Sequence, residues 1–253
     1  GKTTFFFITG DVGSKTEIGI AIVVEEGGRV DKIVTIQPSQ VDMLWEASES
    51  YVPPFYKGKA LPVQESKVKV VAFPVEKDGS IVPSTKVYNW KKNYVVDQSN
   101  SGYGKNAFIV KNSYLDQGDT VSLTVSSQSG SGSAGVLSLN YTKPLILVYE
   151  KNPSYGLRLN KLLNNGISIG NGEITVSAQP FYFSEYKKST TEKNMTYKWN
   201  INGKPVTPPG KPNILTLRGS TESGLATVSI GITNINTLFQ EAKQSFGVTI
   251  GNK

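Results

Sequence analysis

Two stretches of the chain place aromatic side chains beside lysines, a pairing that can stack on a sugar ring or a single-stranded base. One stretch is the loop 51–62 and the other is 181–188. The residues that could contact such a ligand are Tyr51, Phe55, Tyr56, Lys57, Tyr182 and Tyr186. The alternative is that these rings cover the end of a β-sheet, and the strand-like sequence around them favours that interpretation.

The chain lacks two residue types that many catalytic sites use. The chain has no Cys and no His, which excludes disulfides, thiolate and imidazole metal sites, and Ser-His-Asp or Cys-His nucleophiles. Its carboxylates are scattered: Asp116 and Asp119 flank a turn, without the facing pair that glycoside hydrolysis needs. No calcium-binding or phosphate-binding loop motif occurs. We therefore expect no enzyme activity, no catalytic residues, no metal and no cofactor.

The charge of the chain suits an anionic partner only weakly. The net charge is +7, but Lys91-Lys92 and Lys187-Lys188 are the only basic pairs, and the other cations are dispersed. We expect no nucleic-acid binding, while a glycan or cell wall remains a possible partner. No apolar run reaches 18 residues, so attachment to a membrane is expected only through a part of the protein outside this chain.

The elements that position these residues repeat along the chain. Tyr88-Asn89-Trp90 returns as Tyr197-Lys198-Trp199, and each is followed by a Thr-Val-Ser strand, at 120–125 and at 227–232. In both strands apolar and polar residues alternate, which is typical of a strand buried on one face. Short alternating strands in units of roughly 100 residues predict an all-β fold of tandem immunoglobulin-like β-sandwiches.

This repeat divides the chain into a partial sandwich and two complete ones. We predict a C-terminal half of a sandwich at 1–37 and complete sandwiches at 38–144 and 145–253. Trp90 and Trp199 are expected in the two cores. Proline stiffens both connections, so Pro38, Pro144 and the nearby Trp45 are predicted to lie between semi-rigid domains.

The half sandwich cannot bury an apolar face by itself. Its predicted strands are 4–8, a run with Ile18, Ile20 and Ile22, and 32–36. The residues predicted to form an exposed assembly face are Phe5, Phe7, Ile18, Ile20, Ile22 and Ile33. The sequence leaves three alternatives for what buries this face: a missing N-terminal half, strands from another chain, or packing against the next domain.

The Tyr-x-Trp motifs, the Thr-Val-Ser strands and the final strand Phe246-Gly247-Val248-Thr249-Ile250 together resemble PKD-like and immunoglobulin-like domains. The chain is similar to tandem modules of cell-surface proteins from candidate-phylum bacteria, in which segments like 51–61 and 101–106 recur. The resemblance implies an extracellular, cell-surface location and a structural or adhesive role in a stalk or pilus-like filament. Expected partners are another copy of the chain or another subunit of a surface assembly. A carbohydrate- or cell-wall-binding module is the alternative function.

Overall fold

The computed structural model describes residues 4–8, 16–23, 28–36, 41–74, 83–126, 132–185 and 195–251. Over these residues the protein is all-β, as the alternation predicted, with one short 3-10 turn at Pro83–Thr85. Within the described ranges, no helix is long and apolar enough to cross a membrane.

The described residues of the N-terminal half of the chain form eleven strands, of which the first two form a hairpin. They are β1 (Thr16–Val23), β2 (Arg29–Ile36), β3 (Val41–Glu46), β4 (Ser50–Tyr51), β5 (Lys67–Pro74), β6 (Val87–Lys92), β7 (Val95–Val96), β8 (Gly102–Tyr103), β9 (Ala107–Lys111), β10 (Gly118–Ser126) and β11 (Gly132–Asn140). The C-terminal half contains β12 (Leu145–Asn152), β13 (Gly156–Leu162), β14 (Ile167–Gly170), β15 (Glu173–Phe181), β16 (Phe183–Ser184), β17 (Met195–Ile201), β18 (Lys204–Val206), β19 (Ile214–Arg218), β20 (Gly224–Asn234) and β21 (Glu241–Ile250).

The C-terminal strands build a two-sheet sandwich. One sheet has the order β13-β12-β15-β19, and the other has the order β14-β21-β20-β17-β18. Trp199 on β17, Ile230 on β20 and Val176 on β15 belong to one buried cluster that both sheets contribute to. This arrangement is that of an immunoglobulin-like sandwich.

The same strand order occurs once earlier in the chain. Strands β3-β5-β9 form one sheet, and β11-β10-β6-β7 form the other, with β8 also paired to β6. Trp90 on β6 packs against Phe108 on β9, with 5.4 Å between the ring centroids. Strands β3, β5, β6, β9 and β10 therefore correspond to β12, β15, β17, β19 and β20, and the fold is a tandem of immunoglobulin-like sandwiches.

Side-chain hydrogen bonds repeat with the strands. The indole Nε1 of Trp90 donates to the main-chain oxygen of Lys105 at 2.8 Å, and that of Trp199 donates to the oxygen of Pro212 at 2.9 Å. Each tryptophan is buried, at 0% and 1% exposure. A buried N–H group needs a partner, so both sandwiches meet the same requirement in the same way.

The turn after each tryptophan strand is also repeated. Asn93 and Asn202 both have a left-handed backbone, with φ of 48° and 50°. The Oδ1 of Asn93 accepts the N–H of Thr120, and the Oδ1 of Asn202 accepts the N–H of Thr227, each at 2.8 Å. Asparagine tolerates this conformation better than most residues, which explains its presence at both positions.

By compactness the chain forms two units. The first comprises Gly1–Trp45, Val70–Ile109 and Asp119–Leu139, and the second comprises Glu46–Lys69, Val110–Gly118 and Asn140–Lys253. The predicted boundaries at 37 and 144 were drawn from the sequence repeat, and they stay predictions. The second unit contains the C-terminal sandwich together with two segments that precede it in the chain.

The first unit contains the hairpin of β1 and β2, whose sheet has two strands among the residues that the structure describes. Ile22 pairs with Val30, Ile20 with Lys32, and Ile33 with Gly19. Paired residues of an antiparallel ladder share a face, and neighbours along a strand alternate. Ile33 therefore lies on the face opposite to Ile20 and Ile22, and the assignment of these residues to an assembly face stays a prediction.

Residues 4–8 also differ from expectation, because they form no strand. A strand needs a hydrogen-bonded neighbour, and in the described ranges β1 and β2 pair with each other and not with residues 4–8. Phe5 and Phe7 are exposed, with their rings stacked at 6.1 Å between centroids. Their assignment to an assembly surface stays a prediction.

Candidate functional site

The two aromatic stretches singled out in the sequence meet inside the second unit. Phe55 lies 6.0 Å from Tyr149 and 6.3 Å from Phe181, and Tyr56 lies 5.5 Å from Phe181, all measured between ring centroids in edge-on geometry. Phe181 also contacts Tyr182, at 5.9 Å. We call these five rings the aromatic cluster. Edge-on packing is favourable for aromatic pairs beyond the area that it buries.

Main-chain hydrogen bonds hold the two stretches together. Strands β4 and β16 pair antiparallel, so that Phe183 lies opposite Tyr51. The N–H of Tyr182 donates to the oxygen of Tyr51 at 2.6 Å, and the N–H of Glu185 donates to that of Glu49 at 2.8 Å. Residues 49–51 are thus attached by strand pairing to residues 182–185, which directly follow β15 of the C-terminal sandwich.

Tyr182 is a buried member of the aromatic cluster. Its side chain is only 8% exposed, and its backbone has a left-handed φ of 61°. Burial, followed by the hydrogen bond with the Tyr56 hydroxyl, raises the pKa of Tyr182 to about 12. A phenol with so little exposed surface acts as a packing residue with a satisfied hydroxyl, and its neighbours Tyr51, Phe55 and Tyr56 are half-buried.

The other predicted residues lie at separate places. Lys57 is exposed, while Trp45 and Pro144 are half-buried. Trp45 is the last residue of a segment of the first unit, and Pro144 directly precedes β12 in the second. Pro38 and Tyr186 lie outside the described residues. The ligand-contact and interdomain roles assigned to these residues stay predictions, and the structure brings together only Tyr51, Phe55, Tyr56 and Tyr182.

A buried polar network adjoins the aromatic cluster in the second unit. The Oε1 of Gln240 accepts hydrogen bonds from the N–H of Ser184 at 2.8 Å and from the Nδ2 of Asn234 at 2.7 Å. Its Nε2 donates to the oxygen of Gln64 at 3.1 Å. The Oγ of Ser184 donates to the oxygen of Glu65 at 2.6 Å. Buried amides with several partners fix one arrangement of the segments that they join.

Next to this network is a polar cleft with a volume of about 370 Å³. We call it the polar cleft, and it is lined by Glu49 and by the segments 65–67, 111–113 and 236–237. The Nζ of Lys67 bonds the Oε1 of Glu49 at 2.8 Å, with both side chains partly exposed. Glu65 has a left-handed φ of 56°, and its Oε2 is buried without a hydrogen-bond partner among the described residues.

Two exposed rings lie in the loops that contribute Ser113 and Thr237 to the polar cleft, and sequence reasoning missed both. Tyr114 follows the lining residue Ser113, and Phe239 lies two residues beyond Thr237. Their ring centroids are 5.5 Å apart, and Phe239 is 82% exposed with a left-handed φ of 56°. The only available signal was an aromatic residue outside the alternating strands, which by itself does not predict a site.

The arrangement offers groups for hydrogen bonding and for stacking. Within the described part of the chain, no group of three Asp or Glu side chains is placed to hold a metal ion. The chain also lacks Cys and His altogether. What the polar cleft presents is a mixture of carboxylate, ammonium, amide and hydroxyl groups beside an aromatic pair, and such a surface can bind a polar ligand.

Comparisons with known proteins give likenesses of fold only. No protein-family model matches the chain, and no curated protein matches it significantly in sequence. Fibronectin(III)-like modules of CbhA from Clostridium thermocellum are similar in structure at 11% identity and a TM-score of 0.28, over 80% of this chain and 94% of theirs.

Two further solved structures are similar at the same level. The three N-terminal domains of the Highly Immunogenic Outer Capsid protein (Hoc) of bacteriophage RB49 have 10% identity and a TM-score of 0.43, over 84% of this chain and 59% of theirs. The central fibronectin-III array of RIM-binding protein has 12% identity and a TM-score of 0.28, over 77% and 67%. With TM-scores below 0.5, these likenesses carry no information about function.

Proposed function

We propose that this chain is part of a non-enzymatic, extracellular structural protein, a stalk or filament component built of tandem immunoglobulin-like sandwiches. The repetition of one sandwich with the same internal hydrogen bonds supports a role in which the modules serve as building blocks. The resemblance of the sequence to modules of bacterial cell-surface proteins supports the location. The partner in assembly is a second copy of the same chain.

One observation carries this proposal: the apolar face of the β1–β2 hairpin. Ile20, Ile22 and Val30 share that face and are 42%, 55% and 60% exposed. A two-stranded sheet is at best marginally stable in water without a cover. Strands or an apolar face from another chain would bury these side chains and pair with the open edges, as in β-strand addition.

The experiment measures the oligomeric state by sedimentation of the chain over a wide concentration range. Ile22 and Val30 lie directly opposite each other, so Ile22→Lys with Val30→Lys places two like charges on the face. We expect wild-type self-association, and its loss in this double variant. The control is Ile33→Lys, which adds a charge to an exposed residue of the opposite face.

Two results would overturn the proposal. One is a wild-type chain that stays monomeric at high concentration while hydrogen exchange shows 16–36 protected. The other is an Ile33→Lys variant that dissociates as readily as the double variant, because the face opposite to Ile20 and Ile22 would then be the one in contact.

Carbohydrate binding is the second candidate function, and the polar cleft is the observation that favours it. Its lining combines donors and acceptors that a hydroxylated ligand can use, and exposed rings lie beside it. Binding of oligosaccharides on a glycan array tests this candidate independently of self-association. A chain that binds no glycan on the array contradicts it.

A further inference from the structure

We propose that the polar cleft, together with Tyr114 and Phe239, is a binding site for a neutral saccharide. This inference rests on the second candidate function and assigns it a place and a ligand class. The volume of about 370 Å³ is within the range of roughly 300–1,000 Å³ that is usual for small-molecule sites. The predicted ligand residues of the aromatic cluster do not line the polar cleft.

The charges that line the polar cleft indicate a neutral ligand. Glu49 and Glu65 supply two carboxylates, and Lys67 and Lys111 supply two ammonium groups, so the formal charges cancel. Neither an anionic nor a cationic ligand gains from a net field there. Lys67 and Glu49 already pair with each other at 2.8 Å, and their partly exposed groups can still exchange hydrogen bonds with hydroxyls.

The hydrogen-bonding groups fit a hydroxylated ligand in particular. A sugar hydroxyl both donates and accepts, and the lining offers pure acceptors, pure donors and groups that do both. Ser66 and Asn112 are already occupied, because the Oγ of Ser66 donates to Val63 and the Nδ2 of Asn112 donates to the same oxygen. Thr237 is bonded as well, because its Oγ1 donates to the Oε1 of Gln240 at 3.2 Å. These hydrogen bonds hold the polar lining in place, and a ligand hydroxyl would add to them at the partly exposed Lys67–Glu49 pair.

The aromatic pair supplies the apolar half of saccharide recognition. A sugar ring has a face of C–H groups that stacks on an aromatic ring, while its hydroxyls point outward to polar partners. Phe239 is 82% exposed and Tyr114 is 39% exposed, with their rings in contact at 5.5 Å. Both follow segments that line the polar cleft, so one ligand can reach the rings and the polar groups together.

Backbone strain adds an independent reason to expect a ligand here. Glu65 and Phe239 belong to different segments at the polar cleft, and both hold a left-handed φ of 56°. This conformation is uncommon for residues other than Gly and Asn, and least favourable for bulky side chains. Strained residues that persist in a fold concentrate at ligand-binding positions. An exposed phenylalanine gains nothing from burial that would offset its strain.

The experiment uses the whole chain on an array of neutral and anionic oligosaccharides, followed by calorimetric titration with the neutral oligosaccharide that binds best. The test variant is Phe239→Gly, because glycine adopts the left-handed conformation freely and keeps the loop geometry. We expect roughly tenfold or greater loss of affinity, since a stacking ring is removed. The melting temperature should not fall. The matched control is Tyr155→Ala, which removes a ring that is 85% exposed elsewhere in the second unit.

Each outcome decides a different question. Binding of a neutral glycan that is lost in Phe239→Gly and kept in Tyr155→Ala supports the site. Glycan binding that survives Phe239→Gly overturns the site while carbohydrate binding stands. Preference for anionic glycans overturns the ligand class, and no binding to any glycan overturns both the site and the second candidate function.

Discussion

Trp90 and Trp199 are equivalent residues of two sandwiches, and each donates its indole N–H to a main-chain oxygen of the segment that leads into β9 or β19, respectively. The acceptors, Lys105 and Pro212, directly precede the asparagines Asn106 and Asn213. The main-chain oxygens of Asn106 and Asn213 accept hydrogen bonds from the N–H groups of Ala72 and Ala178, respectively, each at 2.8 Å. The tryptophan thus links the two sheets of each sandwich by a bond as well as by packing.

Trp199→Phe should lower the free energy of unfolding of the C-terminal sandwich by about 2 kcal/mol, because it leaves the Pro212 oxygen unpaired and opens a small cavity. Urea unfolding followed by circular dichroism measures the change. Trp90→Phe is the matched variant in the other sandwich and should cost a similar amount. A change below about 0.5 kcal/mol for both would contradict the structural role of the bond.

Gln240→Leu should destabilise the second unit by about 2–4 kcal/mol. Leucine cannot accept from Ser184 and Asn234, which are each only 2% exposed, so two buried donors lose a partner. Chemical denaturation measures the loss. Gln244→Leu is the control, since the side chain of Gln244 donates to its neighbour Ser245 in an exposed contact, and it should change stability by less than about 0.5 kcal/mol.

The repeat could be predicted from sequence because it depends on local signals. The alternation of apolar and polar residues at 120–125 predicts a strand, and the recurring Tyr-x-Trp motif marks equivalent positions in the two repeats. The structure has the corresponding strands β10 and β6. The hairpin register could not be predicted in the same way. A shift of one residue moves every side chain to the other face, and this is why Ile33 was placed with Ile20 and Ile22.

Less of the candidate site than of the fold could be predicted from the sequence. The two aromatic stretches were recognised, but their contact depends on the pairing of β4 with β16, strands of two residues each with no alternation to read. The polar cleft is assembled from Glu49 and three segments that are distant in the chain. Its aromatic pair, Tyr114 and Phe239, lies in loops, where hydrophobic periodicity gives no information.

Tyr182 should make the protein sensitive to alkali. Its pKa is about 12 in the folded state, above the value near 10 of an unfolded tyrosine. Below pH 10 both states keep the proton and its contribution is fully present. Between about pH 10 and 12 the unfolded state loses the proton first, so the free energy of unfolding falls as pH rises.

The variant Tyr182→Phe removes this dependence, and its free energy of unfolding should fall less steeply with pH, by up to about 1 kcal/mol per pH unit. Urea titrations at several pH values between 9 and 12 measure the slope. Phe181→Leu is the control, because it weakens the same aromatic cluster but keeps the phenol, and it should retain the wild-type slope. Equal slopes in wild type and Tyr182→Phe would contradict the burial of this hydroxyl.

Glu150 should give the second unit the opposite sensitivity, to acid. Its carboxylate accepts from the Nζ of Lys161 at 2.6 Å and from the Nη1 of Arg158 at 3.3 Å. The hydrogen bond from Lys161, aided by the charges of Lys161 and Arg158, holds the pKa of Glu150 below its ordinary value although burial opposes this. As pH falls, the unfolded state is protonated first, so this stabilisation is present above the unfolded pKa and is lost as pH falls through the folded pKa.

Glu150→Gln should therefore cost about 1 kcal/mol at pH 7 and progressively less below pH of about 4. Thermal unfolding between pH 2 and 7 measures the difference between the variant and the wild type. The control is Glu173→Gln, whose partner Arg218 lies at 2.8 Å but in an exposed pair, with side chains 51% and 81% accessible. Solvent screens such a pair, so its loss should change stability by less than about 0.5 kcal/mol. A Glu150→Gln penalty that stays constant down to pH 2 would mean that packing of the side chain, rather than its charge, stabilises the β12–β13 ladder.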